Sequence, residues 1–295
     1  MKYFKIMLAV AVALWTAASC KSEYQALLEG YDEEAKYAAA FDYFNQGKFS
    51  KAAQLFESLS VTTSGTERDD TIQFYWGLSN YRFKDFYTAE TNFKEFIEKY
   101  PRSPFAEEAG FLRIDCLYNS SLRYDLDQSS SVQTISAIGE YLTNYPQTQH
   151  LDACRDILSE LGERMDRKAY EGAKLYYKME DYLASRIALK NVLKDDADNK
   201  FREEILYYAA KSSYKYAQLS VPEKQKERYL TFIDDYLNFV GEYESSVYRR
   251  EMDVLYKRAQ RALGRYSGPD EDSGEEEKDF EKERKQLLQD NKDQK

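Results

Sequence analysis

Histidine is nearly missing from this 295-residue chain: there is one, His150, beside three cysteines, Cys20, Cys116 and Cys154. Imidazole-based acid–base catalysis, a Ser/His/Asp arrangement and a His/Cys metal site are therefore not expected, and no CxxC pair occurs. Proline (5) and glycine (12) are scarce as well, and the glycines are scattered, so no loop suited to cradling phosphate can be drawn. Positive charge is outweighed, 42 Lys+Arg against 52 Asp+Glu for a net −10, which argues against nucleic acid as a partner because phosphate backbones need a basic face. No apolar run approaches the roughly 20 residues that span a bilayer. What the chain does have is 43% hydrophobic residues and 27 tyrosines. Rings that pack while their hydroxyls stay wet suit grooves and interfaces.

The N-terminus reads as an address. Lys2 and Lys5 precede an apolar run from Ile6 to Trp15, and Thr16-Ala17-Ala18-Ser19-Cys20 follows. A short basic region, an apolar core and small residues define a secretory signal peptide over 1–19. Small residues directly before a cysteine resemble the lipobox of bacterial lipoproteins, although Ala17 stands where that pattern prefers leucine. The resemblance implies an acylated Cys20 at the mature terminus, the one covalent lipid and no other cofactor, followed by a tether over 20–30. Several acyl chains hold a protein on a membrane far better than one.

From 31 to 266 the pattern is helical nearly throughout, and it repeats. Gly47-Lys48-Phe49 leads to Ala52 and Phe56, with Ala39, Ala40 and Tyr43 before them. Trp76-Gly77 leads through Phe86 to Ala89, Phe93, Phe96 and Tyr100-Pro101, with Asn80 in the usual tyrosine place and Tyr81 one residue later. Ala109-Gly110 leads to Ile138, Tyr141 and Tyr145-Pro146. Gly172-Ala173 and Tyr176 lead to Tyr182, Ser185 and Leu189, and Ala209-Ala210 leads to Tyr236, Phe239 and Tyr243, with Glu244 where proline stood. Small residues where two helices cross and large ones where the next helix packs are the tetratricopeptide arrangement. The fold class predicted is all-α, a tetratricopeptide-like superhelical array of about five helix pairs. Each pair has an apolar face that only its neighbours can cover. Ala52, Ala89 and Gly77 let helices approach closely, Pro101 and Pro146 end helices, and Ser103 with Pro104 predicts a helix start.

From Ser267 the composition turns acidic, with Asp270-Glu271-Asp272 and Glu275-Glu276-Glu277, and a solvated tail is expected over 267–295. Asp125-x-Asp127-x-Ser129 begins like a calcium loop but has Ser130 and Ser136 where glycine and glutamate belong, so no metal site is expected. Asp69-Asp70, Asp195-Asp196 and Asp234-Asp235 read as helix starts or solvated faces, and His150 as a lone surface residue near a helix start. Cys116 and Cys154 suit a buried, apolar role, and a disulfide between them stays open.

Between about 33 and 260 the chain resembles the BamD family of outer membrane protein assembly factors. The resemblance rests on Gly47-Lys48-Phe49 with Ala52; on Phe93-Lys94-Glu95-Phe96-Ile97 through Tyr100-Pro101-Arg102-Ser103; on Asp125-Leu126-Asp127-Gln128 ahead of Ile138; and on Ala169-Tyr170, Ala173-Lys174, Tyr176-Tyr177 and Tyr182. Where the family usually closes its first repeat with Tyr-Pro, this chain has Val61-Thr62-Thr63-Ser64-Gly65-Thr66. The resemblance implies a non-enzymatic lipoprotein on the outer membrane, facing the periplasm. Its N-terminal repeats would receive unfolded outer-membrane proteins and its C-terminal repeats would dock a BamA-type barrel protein with periplasmic domains. Lys21 after Cys20 is compatible with that sorting.

A strand ending in an aromatic residue needs aromatic shelves. Tyr43, Phe74, Tyr75, Tyr81 and Tyr118 are candidates for a substrate-peptide groove, and Tyr170, Tyr177, Tyr207 and Tyr214, with Tyr208, for the partner-facing half. Each ring suits inter-repeat packing equally well, and of the neighbours Tyr207 and Tyr208 one is expected in the core. Two other readings fit the same features: a surface lipoprotein capturing glycans on tyrosine stacks, and a periplasmic adaptor for cell-wall or division machinery.

Overall fold

A computed structural model describes residues 23–264. The signal peptide, Cys20 and the acidic tail lie outside the described residues. Twelve helices follow one another, with no strand among the described residues: α1 (Glu23–Glu29), α2 (Glu33–Asn45), α3 (Phe49–Thr62), α4 (Asp69–Phe83), α5 (Phe86–Lys99), α6 (Ala106–Asn119), α7 (Ser129–Asn144), α8 (Leu151–Lys178), α9 (Tyr182–Asp195), α10 (Arg202–Gln218), α11 (Pro222–Glu242) and α12 (Arg249–Ala262). Within each unit consecutive helices, α2 to α7 and α9 to α12, pack side by side in the manner of a tetratricopeptide array. Helix α1 takes up most of the stretch expected as a tether. The chain divides into two compact units between Leu158 and Ser159, inside α8.

In the first unit the repeat positions are the core. Ala52, Phe56, Ala89, Phe93 and Ile138 are fully buried. Gly77 is there because a methyl group would meet the Phe93 ring at 2.9 Å, and Gly110 because one would meet Tyr141 at the same distance. The consensus tyrosine place of the second repeat holds Asn80, whose amide donates to Asn92 Oδ1 at 2.9 Å, so a buried amide pair fills the space a ring would take. Tyr81, one residue on, turns outward and donates from its hydroxyl to Asp115 Oδ2 at 2.7 Å.

The turns inside three of the pairs, α2–α3, α4–α5 and α8–α9, follow one recipe. A residue with positive φ (Gly47 at 73°, Lys84 at 66°, Glu180 at 63°) reverses the chain, and the next residue caps the following helix. Asp85 accepts from the Thr88 N–H and Asp181 from the Ala184 N–H, both at 3.1 Å, the kind of cap that stabilises a helix by about 1 kcal/mol. Lys48 holds that place in the first pair and provides no side-chain cap. Lys84 and Glu180 sit in a left-handed conformation that costs an L-residue about 1–2 kcal/mol against glycine.

Tyrosines mark the far ends: Tyr100, Tyr145 and Tyr243 are the C-terminal caps of α5, α7 and α11. Pro101 and Pro146 follow the first two as expected, and Glu244 follows the third without altering the cap. Helix α6 begins at Ala106, later than Ser103-Pro104 predicted. Ser103 Oγ accepts from the Phe105 N–H at 3.3 Å and donates to Asp70 at 2.8 Å, so it ties the loop to α4 instead of capping.

In the second unit α10 is central and nearly every face of it is covered. Tyr207 and Tyr208 are both buried, at 0% and 8% exposure, against the expectation that one would be open. Their rings meet each other edge-on at 4.9 Å and each reaches a different neighbour: Tyr207 stacks on Tyr248 at 4.1 Å, and Tyr208 meets Tyr177 at 5.2 Å. Leu189 and Tyr236, the repeat positions of α9 and α11, are buried in the same core.

Candidate functional site

The five rings expected to share one groove do not do so. Phe74 is 5% exposed, stacked on Phe105 at 4.5 Å and packed against Phe93 and Phe96, which makes it core. Tyr43 is half-buried under α1: its ring meets Tyr24 edge-on at 5.4 Å, with Lys48 and Lys51 over it. Tyr81 is half-buried, next to Phe86 and bonded to Asp115, and burial with that acceptor pushes its hydroxyl well above the ordinary phenol range. Tyr118 is half-buried at the end of α6.

Tyr75 is different. It is half-buried at the centre of a row of rings that runs along the first helices: Phe41 at 4.8 Å, Phe44 at 5.2 Å and Phe105 at 6.3 Å from it, with Tyr37 at 4.9 Å from Phe41. Tyr37, Phe41 and Phe44 follow a spacing of four and three, so they share one face of α2. That spacing is the signal the sequence carries for these three rings, none of which is among the residues expected to form the groove. The row leads into a depression of about 370 Å³ lined by Glu33, Glu34, Tyr37, Leu59, Thr63 and Arg68, among others. Arg68 lies over the Tyr37 ring at 4.7 Å and pairs with Glu34 at 2.7 Å. The loop that replaces the expected Tyr-Pro forms one edge. Gly65, at φ 81°, donates its N–H to Asp69 Oδ2 at 2.7 Å, and Thr66 Oγ1 donates to the Thr63 carbonyl at 2.7 Å. The result is an open aromatic shelf beside charged and polar groups, which can hold an apolar side chain and pair with a peptide backbone.

In the second unit Tyr170, Tyr207 and Tyr214 are core residues, each at most 4% exposed, and only Tyr177 of that set is half-buried. Two lysines are threaded through these rings. Lys174 lies over Tyr170 and Tyr208, and Lys211 over Tyr177 and Tyr207 while pairing with Glu251 at 2.6 Å. Asp235, expected with Asp234 at a helix start or on a solvated face, is in neither place. It is 6% exposed and accepts from Arg186 Nε at 2.6 Å, from Lys190 and from Ser213. Burial alone would raise its carboxyl; the hydrogen bonds from Arg186, Lys190 and Ser213 outweigh that and hold it below the usual carboxylate range. Arg186 and Ser213 also line a depression of about 240 Å³ with Leu183, Tyr216, Lys224 and Arg228.

His150 is not a loose surface residue: it stacks on Phe111 at 3.9 Å and meets Glu108 at 3.2 Å. Cys116 and Cys154 are free and buried, and burial pushes both thiols above the ordinary thiol range. Among the described residues no cluster of His, Cys, Asp and Glu could hold a metal, and no helix is long and apolar enough to cross a membrane.

Comparison with known proteins agrees with the architecture. A family model described as YfiO, outer membrane lipoprotein, matches residues 30–232. The outer membrane protein assembly factor BamD of Caulobacter vibrioides is 20% identical over 205 residues, covering 68% of this chain and 67% of the relative. The putative outer membrane protein assembly factor BamD of Aquifex aeolicus is 23% identical over 287 residues, covering 89% of this chain and 92% of the relative.

Proposed function

This chain belongs to the YfiO outer membrane lipoprotein family, and from that premise we propose that it is a non-enzymatic outer membrane protein assembly factor. It is held by lipid on Cys20 at the periplasmic face, receives unfolded barrel proteins on its first unit and docks a BamA-type barrel protein on its second. The family match carries this reading, because it spans the first unit and reaches into α11 of the second. The row Tyr37–Phe41–Phe44–Tyr75 refines the substrate surface. The rings touch one another at about 5 Å, and their half-exposed edges form a continuous apolar shelf on which the aromatic end of a β-strand can pack. On the partner side, Tyr177 is the half-buried ring of the expected set, with the largely covered Lys211 over it at 5.8 Å.

Photocrosslinking tests the substrate assignment. A crosslinking amino acid in place of Phe44 or Tyr37 is expected to trap newly made barrel proteins in living cells, and one in place of Leu237, which is 53% exposed in the second unit, is not. Equal trapping at all three positions would remove the assignment. Crosslinks to soluble glycans or cell-wall enzymes instead would favour the other two readings.

A further inference from the structure

The turns of the first two helix pairs carry four cations on a strongly acidic chain. Lys48 and Lys51 from one turn, and Arg82 and Lys84 from the next, line an open depression of about 370 Å³ together with Phe49 and Phe83. None of the four makes an ion pair with a carboxylate among the described residues. Asp42 is taken by the Gln46 side chain at 2.7 Å, and Asp85 by Thr88. Lys48 Nζ donates only to the neutral Gln46 amide oxygen, at 2.7 Å. Phe83 of that lining stands in solvent at 57% exposure, and Tyr87, in the first turn of α5 three residues after Lys84, is 85% exposed.

Two of these cations stand where the local backbone favours something else. Lys48 occupies the place where the turns of the second and fourth pairs have capping aspartates, Asp85 and Asp181. Lys84 occupies the left-handed position that Gly47 fills in the first pair. Folding would be served better by aspartate and glycine at these places, so the positive charge is kept against the stability of the turn. The corresponding residues of the second unit, Glu180 and Asp181, are acidic, so the feature is confined to the first two pairs.

The patch also lies next to the end of the chain that reads as its anchor. Tyr24 donates to the Lys51 carbonyl at 3.1 Å, and Lys51 Nζ lies 4.9 Å from the Tyr24 ring centre. Cys20 is four residues earlier, a span of at most about 14 Å even when fully extended. We infer that Lys48, Lys51, Arg82 and Lys84, with Phe83 and Tyr87, form a docking face for anionic phospholipid headgroups in the leaflet that holds the acyl chains, fixing the first unit against the membrane. The inference rests on the proposed Cys20 anchor only for where the bilayer lies. The occupant follows from charge and reach: the face is cationic with aromatic neighbours, as membrane interfaces favour, and a lipidated Cys20 keeps it within a few residues' length of headgroups.

The mature chain from residue 20, carrying Cys20→Ser so that no acyl chain contributes, should float with vesicles of phosphatidylcholine mixed with phosphatidylglycerol and not with phosphatidylcholine alone. That binding should weaken as salt rises. Lys48→Asp with Lys84→Gly removes three units of positive charge. At roughly a fivefold loss per charge, it should lower partitioning about a hundredfold. Because both changes suit the turns, its melting temperature should be no lower than that of the parent, which separates lost binding from lost fold. Equal flotation with both vesicles, no flotation with either, or full retention by the double variant would overturn the inference. Mass analysis of the native N-terminal peptide reports acylation of Cys20 independently. An acylated Cys20 without vesicle preference sinks the docking face alone, and a bare Cys20 with the preference leaves it standing.

Discussion

Asp235 has almost no water of its own at 6% exposure, and Arg186, Lys190 and Ser213 stand in for it. Truncating it leaves the two cations facing each other across a partly dry gap. Asp235→Ala should therefore lower unfolding free energy by about 3 kcal/mol in urea melts, at the low end for a buried pair because Lys190 is 44% exposed. The sign with pH follows from the depressed carboxyl. The folded state binds that proton less readily than the unfolded chain, so the stabilisation is fully present above the unfolded value of about 3.9 and is lost as pH falls through the lower folded value. Urea melts of parent and Asp235→Asn should thus differ most at neutral pH and converge in strong acid. An equal gap at every pH would show that packing and not charge is responsible. Asp235 was not legible in the sequence. Asp234 and Asp235 are adjacent, one faces solvent and the other the core, and the partner that decides between them, Arg186, is 49 residues away. At Gly77 the sequence was legible, and Gly77→Ala should cost about 1–3 kcal/mol, since the new methyl would crowd the fully buried Phe93.

The helix pairs were legible because their signal is local. Phe56, Phe93, Ile138 and Leu189 stand at corresponding places on α3, α5, α7 and α9, and all four are fully buried. The site was less legible, because the exposure of a ring on a first helix depends on elements far away in sequence. Tyr43 looked free until α1 covered it, Tyr207, Tyr214 and Tyr170 are enclosed by α11 and its neighbours, and Tyr75 stays partly open. Boundaries slipped where a cap was read by composition alone. Ser103 has the right chemistry for a cap, yet its hydroxyl is spent on Asp70. The α8–α9 turn gives a test of the recipe that combines a left-handed residue with an aspartate cap. Glu180→Gly should raise stability by about 1 kcal/mol by relieving the positive φ, and Asp181→Ala should lower it by a similar amount through the lost bond to Ala184. Thermal melts of the two variants should move in opposite directions. Movement in one direction would show that the turn is held by its surroundings and not by its own chemistry.

At the scale of the molecule, two depressions of the first unit differ in the sign of the charges around them. The turns joining first to second helices carry Lys48, Lys51, Arg82 and Lys84, while Glu33, Glu34 and Glu67 lie around the depression at the head of α2. A membrane would take the first and a peptide the second, to which the aromatic row leads. The lipid anchor makes its own prediction: in high salt, which screens the cationic face, Cys20→Ala should move the protein from the membrane fraction to the soluble one, and unchanged retention there would mean that lipid is not what holds it. The free, buried state of Cys116 and Cys154 predicts identical migration with and without reductant. The central claim, a scaffold for outer-membrane barrel assembly, meets its most direct test in depletion of this protein from growing cells, followed by quantification of barrel proteins in the outer membrane against other envelope proteins. The account predicts a selective fall in folded barrels as the protein disappears; barrel levels that stay normal after depletion would contradict it.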